Sequence, residues 1–286
     1  MKSFFLIIAL AAGNMICFAQ TDTPATVDSV HGKSTLTLAA LYANNASYYG
    51  QKAAARTPYF ALAAVYQLRS GIYFTGQSYK LLNDNTSTVS ATSFGAGVNF
   101  KLSKKLTTDL SYSHSFYPSY SPLLQAANVD NASLTFAYDA WVKPTLTADY
   151  AFGKVSDAFV TAGLSKSVDL FSISKKDIIN IAPSADIVGG TQHFYQTYVK
   201  QQKLHDSILG VVAVPPVFGN PRNTNHIDTV ATTNFNVLSY NFKIPLSYNR
   251  SHYILQAEYQ LSLLSDHVAA NKQMNSFLTF SFYYQF

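Results

Sequence analysis

FLTFSFYYQF, residues 277–286, decides how the rest of the chain is read. Leu278, Phe280, Phe282, Tyr284 and Phe286 fall on one side, and Phe277, Thr279, Ser281, Tyr283 and Gln285 on the other. A period of two is that of a β-strand. An exposed strand face carrying four aromatic rings would drive aggregation in water. Against lipid the same face is satisfied, so the stretch predicts a strand with one side in a membrane.

Composition agrees. Hydrophobic residues make up 48% of the chain, with 20 Tyr and 20 Phe, yet only 12% of residues are charged. Beyond the first residues no apolar run reaches the roughly 18 residues that a membrane helix requires. The apolar content is therefore spread over short segments, the pattern of a transmembrane barrel. The formal charge of +5 comes from single basic residues and pairs such as Lys104-Lys105 and Lys175-Lys176. No basic stripe marks a nucleic-acid partner.

The opening stretch MKSFFLIIALAAGNMICFAQ places Lys2 before an apolar run and Ala19 before Gln20. It predicts a signal peptide over residues 1–19. Cleavage there removes Cys17, the single cysteine, so no disulfide or Cys-ligated metal is expected in the mature chain. Residues 20–33 read as a short periplasmic tail, and residues 34–286 as one domain.

That domain is predicted to be all-β, a transmembrane antiparallel up-and-down barrel of about twelve strands, with ten or fourteen as the neighbouring counts. Alternation recurs from Ser34 to Ala43, Tyr59 to Leu68 and Ile72 to Lys80, and onward to the terminal strand. Short connections at Arg69-Ser70-Gly71, Ser103-Lys104-Lys105 and Asn249 to His252 fall on one side, the periplasmic one, and longer loops fall outside. In the weaker ninth strand Pro183 cannot donate to a ladder, which predicts a bulge or broken pairing. One long irregular region, near residues 189–233, carries the turn signals Pro215-Pro216 and Gly219-Asn220-Pro221 and is expected outside.

Strand parity assigns lumen charges. Asp109, Asp139, Asp149 and Glu258 are expected inside, toward the periplasmic half, with Lys101 and Lys243 as their basic company. The outward set of the last strand, Phe280, Phe282, Tyr284 and Phe286, is the expected assembly signal.

Over nearly its whole mature length the chain resembles Gram-negative outer-membrane β-barrel proteins, in which the last strand, closing on a Phe, is read by the barrel-assembly machinery. Ser47-Tyr48-Tyr49-Gly50-Gln51, Thr57-Pro58-Tyr59-Phe60 and Gly190-Thr191-Gln192-His193-Phe194-Tyr195 resemble wording that recurs in a family of uncharacterised barrels. The resemblance implies outer-membrane lipid as surroundings and no particular activity.

Candidate chemistry is sparse. His205-Asp206-Ser207 is similar to a string of the outer-membrane phospholipase A family, but Ile208-Leu209 stand where that family has Asn-Gly. It is read as a loop string without a catalytic role. His114, between Tyr112 and Phe116 on an outward face, reads as a ring of the interfacial aromatic belt. His193, His205 and His226 with Asp206 and Asp228 lack metal-ligand spacing. Gly95-Ala96-Gly97 lacks the strand-to-helix setting of a phosphate loop. No catalytic, cofactor-binding or metal residue is assigned.

A barrel of about twelve strands is wider than one filled by its own side chains. A passive channel or small-solute transporter is the leading expectation. A structural, adhesive or secretion-accessory barrel, binding an extracellular partner through its long loop, is the second, and a lipid-modifying enzyme the third.

Overall fold

The computed structural model describes residues 33–84, 88–118, 121–195, 234–269 and 273–286. The signal-peptide stretch and most of the long loop, including His205, Ser207 and His226, lie outside these residues.

Fourteen strand segments form one antiparallel sheet. Two pairs of segments are single strands interrupted once, which gives a barrel of twelve. β1 is Thr35–Ala43, β2 Tyr59–Gln67, β3 Ile72–Leu81, β4 Ala91–Lys101, β5 Leu106–Phe116 and β6 Asp130–Tyr138. β7 is Lys143–Phe152, and β8 is Ser156–Ser165 resuming at Val168–Phe171. β9 is Asp177–Ile181 resuming at Ser184–Gly190, β10 Asn236–Arg250, β11 Tyr253–Leu264 and β12 Met274–Gln285.

Each strand pairs with its sequence neighbour, and β1 closes the barrel on β12, from Thr37 opposite Gln285 to Ala43 opposite Thr279. Closure leaves no long edge, so backbone groups are satisfied within the wall, as a hydrocarbon setting demands. The Phe286 N–H extends the seam by donating to the Leu36 carbonyl at 2.9 Å. Among the described residues no helix is long and apolar enough to cross a membrane; the crossing is made by strands.

The terminal strand sits as its alternation requires. Phe280, Phe282 and Tyr284 face out, 47%, 41% and 36% exposed, while Phe277 and Tyr283 are buried on the inner side. Outward residues on the other strands repeat this band: Leu36, Leu38 and Tyr42 on β1, Phe60, Leu62 and Tyr66 on β2, Tyr240, Phe242 and Ile244 on β10. A closed sheet whose apolar side faces out and whose polar side faces in is a membrane barrel turned inside out relative to a soluble protein. The protein is a transmembrane β-barrel.

The predicted interruption of β9 is present, at Ala182-Pro183. Pro183 has no N–H to give, while its carbonyl accepts from Lys166 N at 3.1 Å and Ala182 N reaches the Pro245 carbonyl at 3.1 Å. One connection departs from the expected alternation of short turns and long loops: residues 153–155, joining β7 to β8 at the same end as the β1–β2 connection, are as short as the turns at the opposite end.

Candidate functional site

The half of the lumen at the long-loop end is filled by the chain's own loops. The β1–β2 connection, residues 44–58, is tied at its neck where Asn45 Oδ1 accepts from the Thr57 N–H at 2.9 Å and the Thr57 hydroxyl at 2.7 Å. It then turns inward. Tyr48 and Gln51 exchange backbone hydrogen bonds of 2.8 and 3.0 Å around Tyr49 (φ 51°) and Gly50 (φ 80°). Two successive positive φ values make a type I′ turn, for which glycine is suited and tyrosine is not.

Tyr49 in the left-handed region costs about 1 to 2 kcal/mol. The contacts that offset the strain are visible around it. Its ring stacks on Phe159 of β8 with centroids 3.7 Å apart, and its carbonyl accepts from Ser239 Oγ of β10 at 2.8 Å. The next carbonyl, of Gly50, accepts from Asn275 Nδ2 of β12 at 3.0 Å. A Cβ on Gly50 would stand 2.6 Å from Asn241 Oδ1 and 2.8 Å from Ser239 Oγ, so the tip lies directly on the inner wall. Burial, and after it the Asp149 carboxylate, hold the Tyr49 phenol well above its usual range, so it is a neutral group.

Two further loops complete the plug. The 3-10 turn Leu124–Ala127 is buried throughout, and Asn128 beside it donates to Asp157 Oδ2 at 2.9 Å. Residues 191–195 fold in from the other side: Gln192 Nε2 donates to Gln51 Oε1 at 3.0 Å, and Phe194 meets Tyr48 edge-on at 4.7 Å. Asp157, near the start of β8 and 1% exposed, is the tie between them. Its Oδ1 accepts from the Thr191 hydroxyl at 2.7 Å, the His193 N–H at 2.8 Å and His193 Nδ1 at 3.0 Å, and its Oδ2 from the Phe194 N–H at 2.9 Å. Val268 and Ala269, from the β11–β12 connection, pack into the same cluster.

The three stretches singled out in the sequence therefore converge. Tyr48 to Gln51 and Gln192 to Phe194 meet in the lumen, and Thr57 braces the neck above them.

The wall below the plug is two-sided. Ala39, Leu41, Ala61 and Ala63 of β1 and β2 form an apolar sector with Ile254, Tyr283 and Leu123. Opposite chemistry lines β4, β5, β6, β7, β10 and β11, where Asn99, Asp109, Thr135, Thr147, Asp149, Asn241, Lys243 and Gln260 are buried inward. The lumen is therefore not wet throughout, as sequence alternation alone implies; the apolar sector escapes notice because its small alanines leave no strong signal.

Four of the six expected lumen charges point inward: Asp109, Asp149, Glu258 and Lys243. Asp109, 4% exposed, has Asn99 opposite it across the β4–β5 ladder and accepts from the Tyr73 hydroxyl at 2.9 Å. Gly97 is the residue that admits Tyr73, since any Cβ there would collide with the phenol. Asp149 is buried against Tyr49. Lys243 is 4% exposed and pairs with Asp186 Oδ2 at 3.4 Å, with Glu258 close enough to act on both.

Two placements are corrected. Asp139 lies exposed in the turn after β6, because the strand ends at Tyr138 and parity no longer orients the residues beyond it. Lys101, the last residue of β4, is exposed at the rim, where an ammonium reaches water. Asp186, the ion-pair partner of Lys243, is absent from the expected set, although the outward run Ala185, Ile187 places it inside by the same parity.

No protein-family model and no curated protein matches the sequence. Among solved structures the chain is similar to the KdgM porin, at 8% identity over 88% of this chain and 99% of that one, with a TM-score of 0.48. It is also similar to a bacterial polysaccharide outer membrane secretin (9% identity, 90% and 99% covered, TM-score 0.46) and to LpxR from Salmonella typhimurium (8%, 87% and 99%, 0.45). At such values the likeness carries no activity across, and the fold stands on the strand register given above.

Proposed function

We propose that the protein is a small-solute channel of the outer membrane, with a cation-preferring inner wall and a folded-in extracellular constriction. The single observation that carries this reading is the polar sector of the wall, where Asp109 is buried with the neutral side chains of Tyr73 and Asn99 as its hydrogen-bond partners. A barrel closed for structure alone would pair such carboxylates or replace them, since an ionised group in a narrow low-dielectric interior is stabilised by counter-charge. Carboxylates in excess of cations concentrate cations in a pathway.

The tip at Tyr49-Gly50 is held to the wall by neutral side-chain bonds from Ser239 and Asn275. Each such bond contributes about 1 kcal/mol net. The constriction is thus anchored by contacts that a modest free energy can exchange.

The experiment is planar-bilayer conductance of the refolded protein, compared with the double variant Ser239→Ala, Asn275→Ala. Cation-selective events that grow in the variant support the channel. Electrical silence in both supports the structural or adhesive barrel, which the close packing of Tyr49, Phe194 and Leu238 in the plug favours.

A further inference from the structure

One polar cluster lies on the opposite side of the wall, facing lipid. Asp130 opens β6 and stands directly across from His114 of β5 in the ladder. Its Oδ1 accepts from the Tyr112 hydroxyl at 2.5 Å and meets His114 Nδ1 at 2.6 Å. Among the described strands, Asp130 is the one carboxylate in the outward set at the extracellular ends. A carboxylate on a lipid-facing surface is expensive and marks function by default.

We propose that Asp130 and His114 form a binding site for the sugar head group of an outer-leaflet glycolipid. The chemistry of the pair selects this ligand; the His114 side chain is 39% exposed and that of Asp130 16%. In the neutral imidazole a carboxylate against Nδ1 holds the proton on that nitrogen and leaves Nε2 as an acceptor. Asp130 Oδ2 is also an acceptor, and neither atom takes a hydrogen bond from the described residues. Two acceptors on opposite flanks of one imidazole suit a ligand rich in hydroxyl donors and spread over a ring. They repel a phosphate.

The surroundings supply the apolar half of saccharide recognition. The Phe116 ring lies edge-on to His114 at 4.6 Å, and Tyr150 and Phe152 stack at 5.5 Å beside Tyr112. Such rings present flat faces to the C–H side of a pyranose. Tyr150, Tyr112 and Phe116 are each about half exposed, 52%, 48% and 56%. The height is right as well: the cluster sits where β5 ends and β6 begins, on the long-loop side of the barrel.

The test is native mass spectrometry of the full-length barrel folded in detergent and offered three lipids: a phosphate-free glycosyl diacylglycerol, phosphatidylglycerol and phosphatidylethanolamine. The wild type should retain the glycolipid at least about tenfold better than phosphatidylglycerol, the discrimination expected of one charge-assisted hydrogen bond. Asp130→Ala should abolish that preference, and His114→Phe, which keeps a ring but removes Nε2, should reduce it. Heat-modifiable migration checks that each variant is folded, and the wild-type preference is decisive even where a variant is not. Equal retention of all three lipids would overturn the proposal. So would preference for phosphatidylethanolamine, which would assign the site to an ammonium, or loss of wild-type binding with EDTA, which would assign it to a bridging cation.

Discussion

Ser239 Oγ donates a 2.8 Å hydrogen bond to the Tyr49 carbonyl, joining the inner wall of β10 to the tip of a loop 190 residues earlier. The contact turns a surface connection into a lumen element. A loop of about fifteen residues has ample length to stay outside, and loops normally remain on the surface because their backbone groups need water. Here the backbone groups at the tip are met instead by Ser239, Asn275 and the Tyr48–Gln51 pair.

Gly50→Ala tests that seating. The new Cβ would meet Asn241 and Ser239, and φ of 80° is unfavourable for alanine, so the tip should lift from the wall. Because no strand residue is replaced, the barrel should still form and migrate as a heat-modifiable species. Conductance in planar bilayers should rise; an unchanged value in a folded variant would take the turn off the solute pathway.

Asp157→Ala addresses the tie between the plug's loops. The substitution leaves the His193 and Phe194 N–H groups, the Thr191 hydroxyl and Asn128 without their shared acceptor. Loss of charge-assisted bonds at a buried site should lower stability by about 3 kcal/mol. The temperature at which the folded band converts to the unfolded one should fall, and residues 191–195 should become open to protease in intact cells. Protection equal to the wild type would mean that the loops hold without Asp157.

Much of the architecture is legible because a membrane barrel writes its inside and outside into alternate residues. Phe280, Phe282 and Tyr284 outward, Asp109 and Lys243 inward, and the break at Pro183 all come from period two and proline chemistry. The plug is not legible, since no periodicity tells a loop to fold inward. Its only signal is wording, Tyr48-Tyr49-Gly50-Gln51 and Gly190 to Tyr195, and wording says nothing of contact. The His114–Asp130 pair escapes for a different reason: cross-strand partners depend on register, and the loop between β5 and β6 hides it.

Phe286→Asp examines the terminal strand. Phe286 is 66% exposed on the lipid side, and its ring meets Tyr284 edge-on at 4.7 Å. A carboxylate there should disfavour both membrane insertion and recognition by an assembly machinery that reads aromatic strands. Cells should accumulate unfolded, protease-sensitive protein in place of the heat-modifiable form. Normal amounts of the folded form at the surface would show that assembly does not depend on this residue.

Two carboxylates on the same wall should answer mutation in opposite ways. Asp109 is held by neutral donors, Tyr73 and Asn99. Asp109→Asn keeps the shape and removes a charge, so reversal potentials in a salt gradient should show weaker cation preference while thermal stability stays within about 0.5 kcal/mol of the wild type or rises. Asp186 is instead the counter-ion of Lys243, buried at 4% exposure. Asp186→Asn should therefore destabilise the barrel by about 3 kcal/mol, since a buried ammonium loses its paired carboxylate while Glu258 stays nearby. The double variant Asp186→Asn, Lys243→Met should recover most of that loss, because removing both charges also removes both desolvation penalties. If Asp109→Asn destabilises as much as Asp186→Asn, both carboxylates belong to a closed structural network. An unmutated pore that prefers anions would contradict the assignment of the wall altogether.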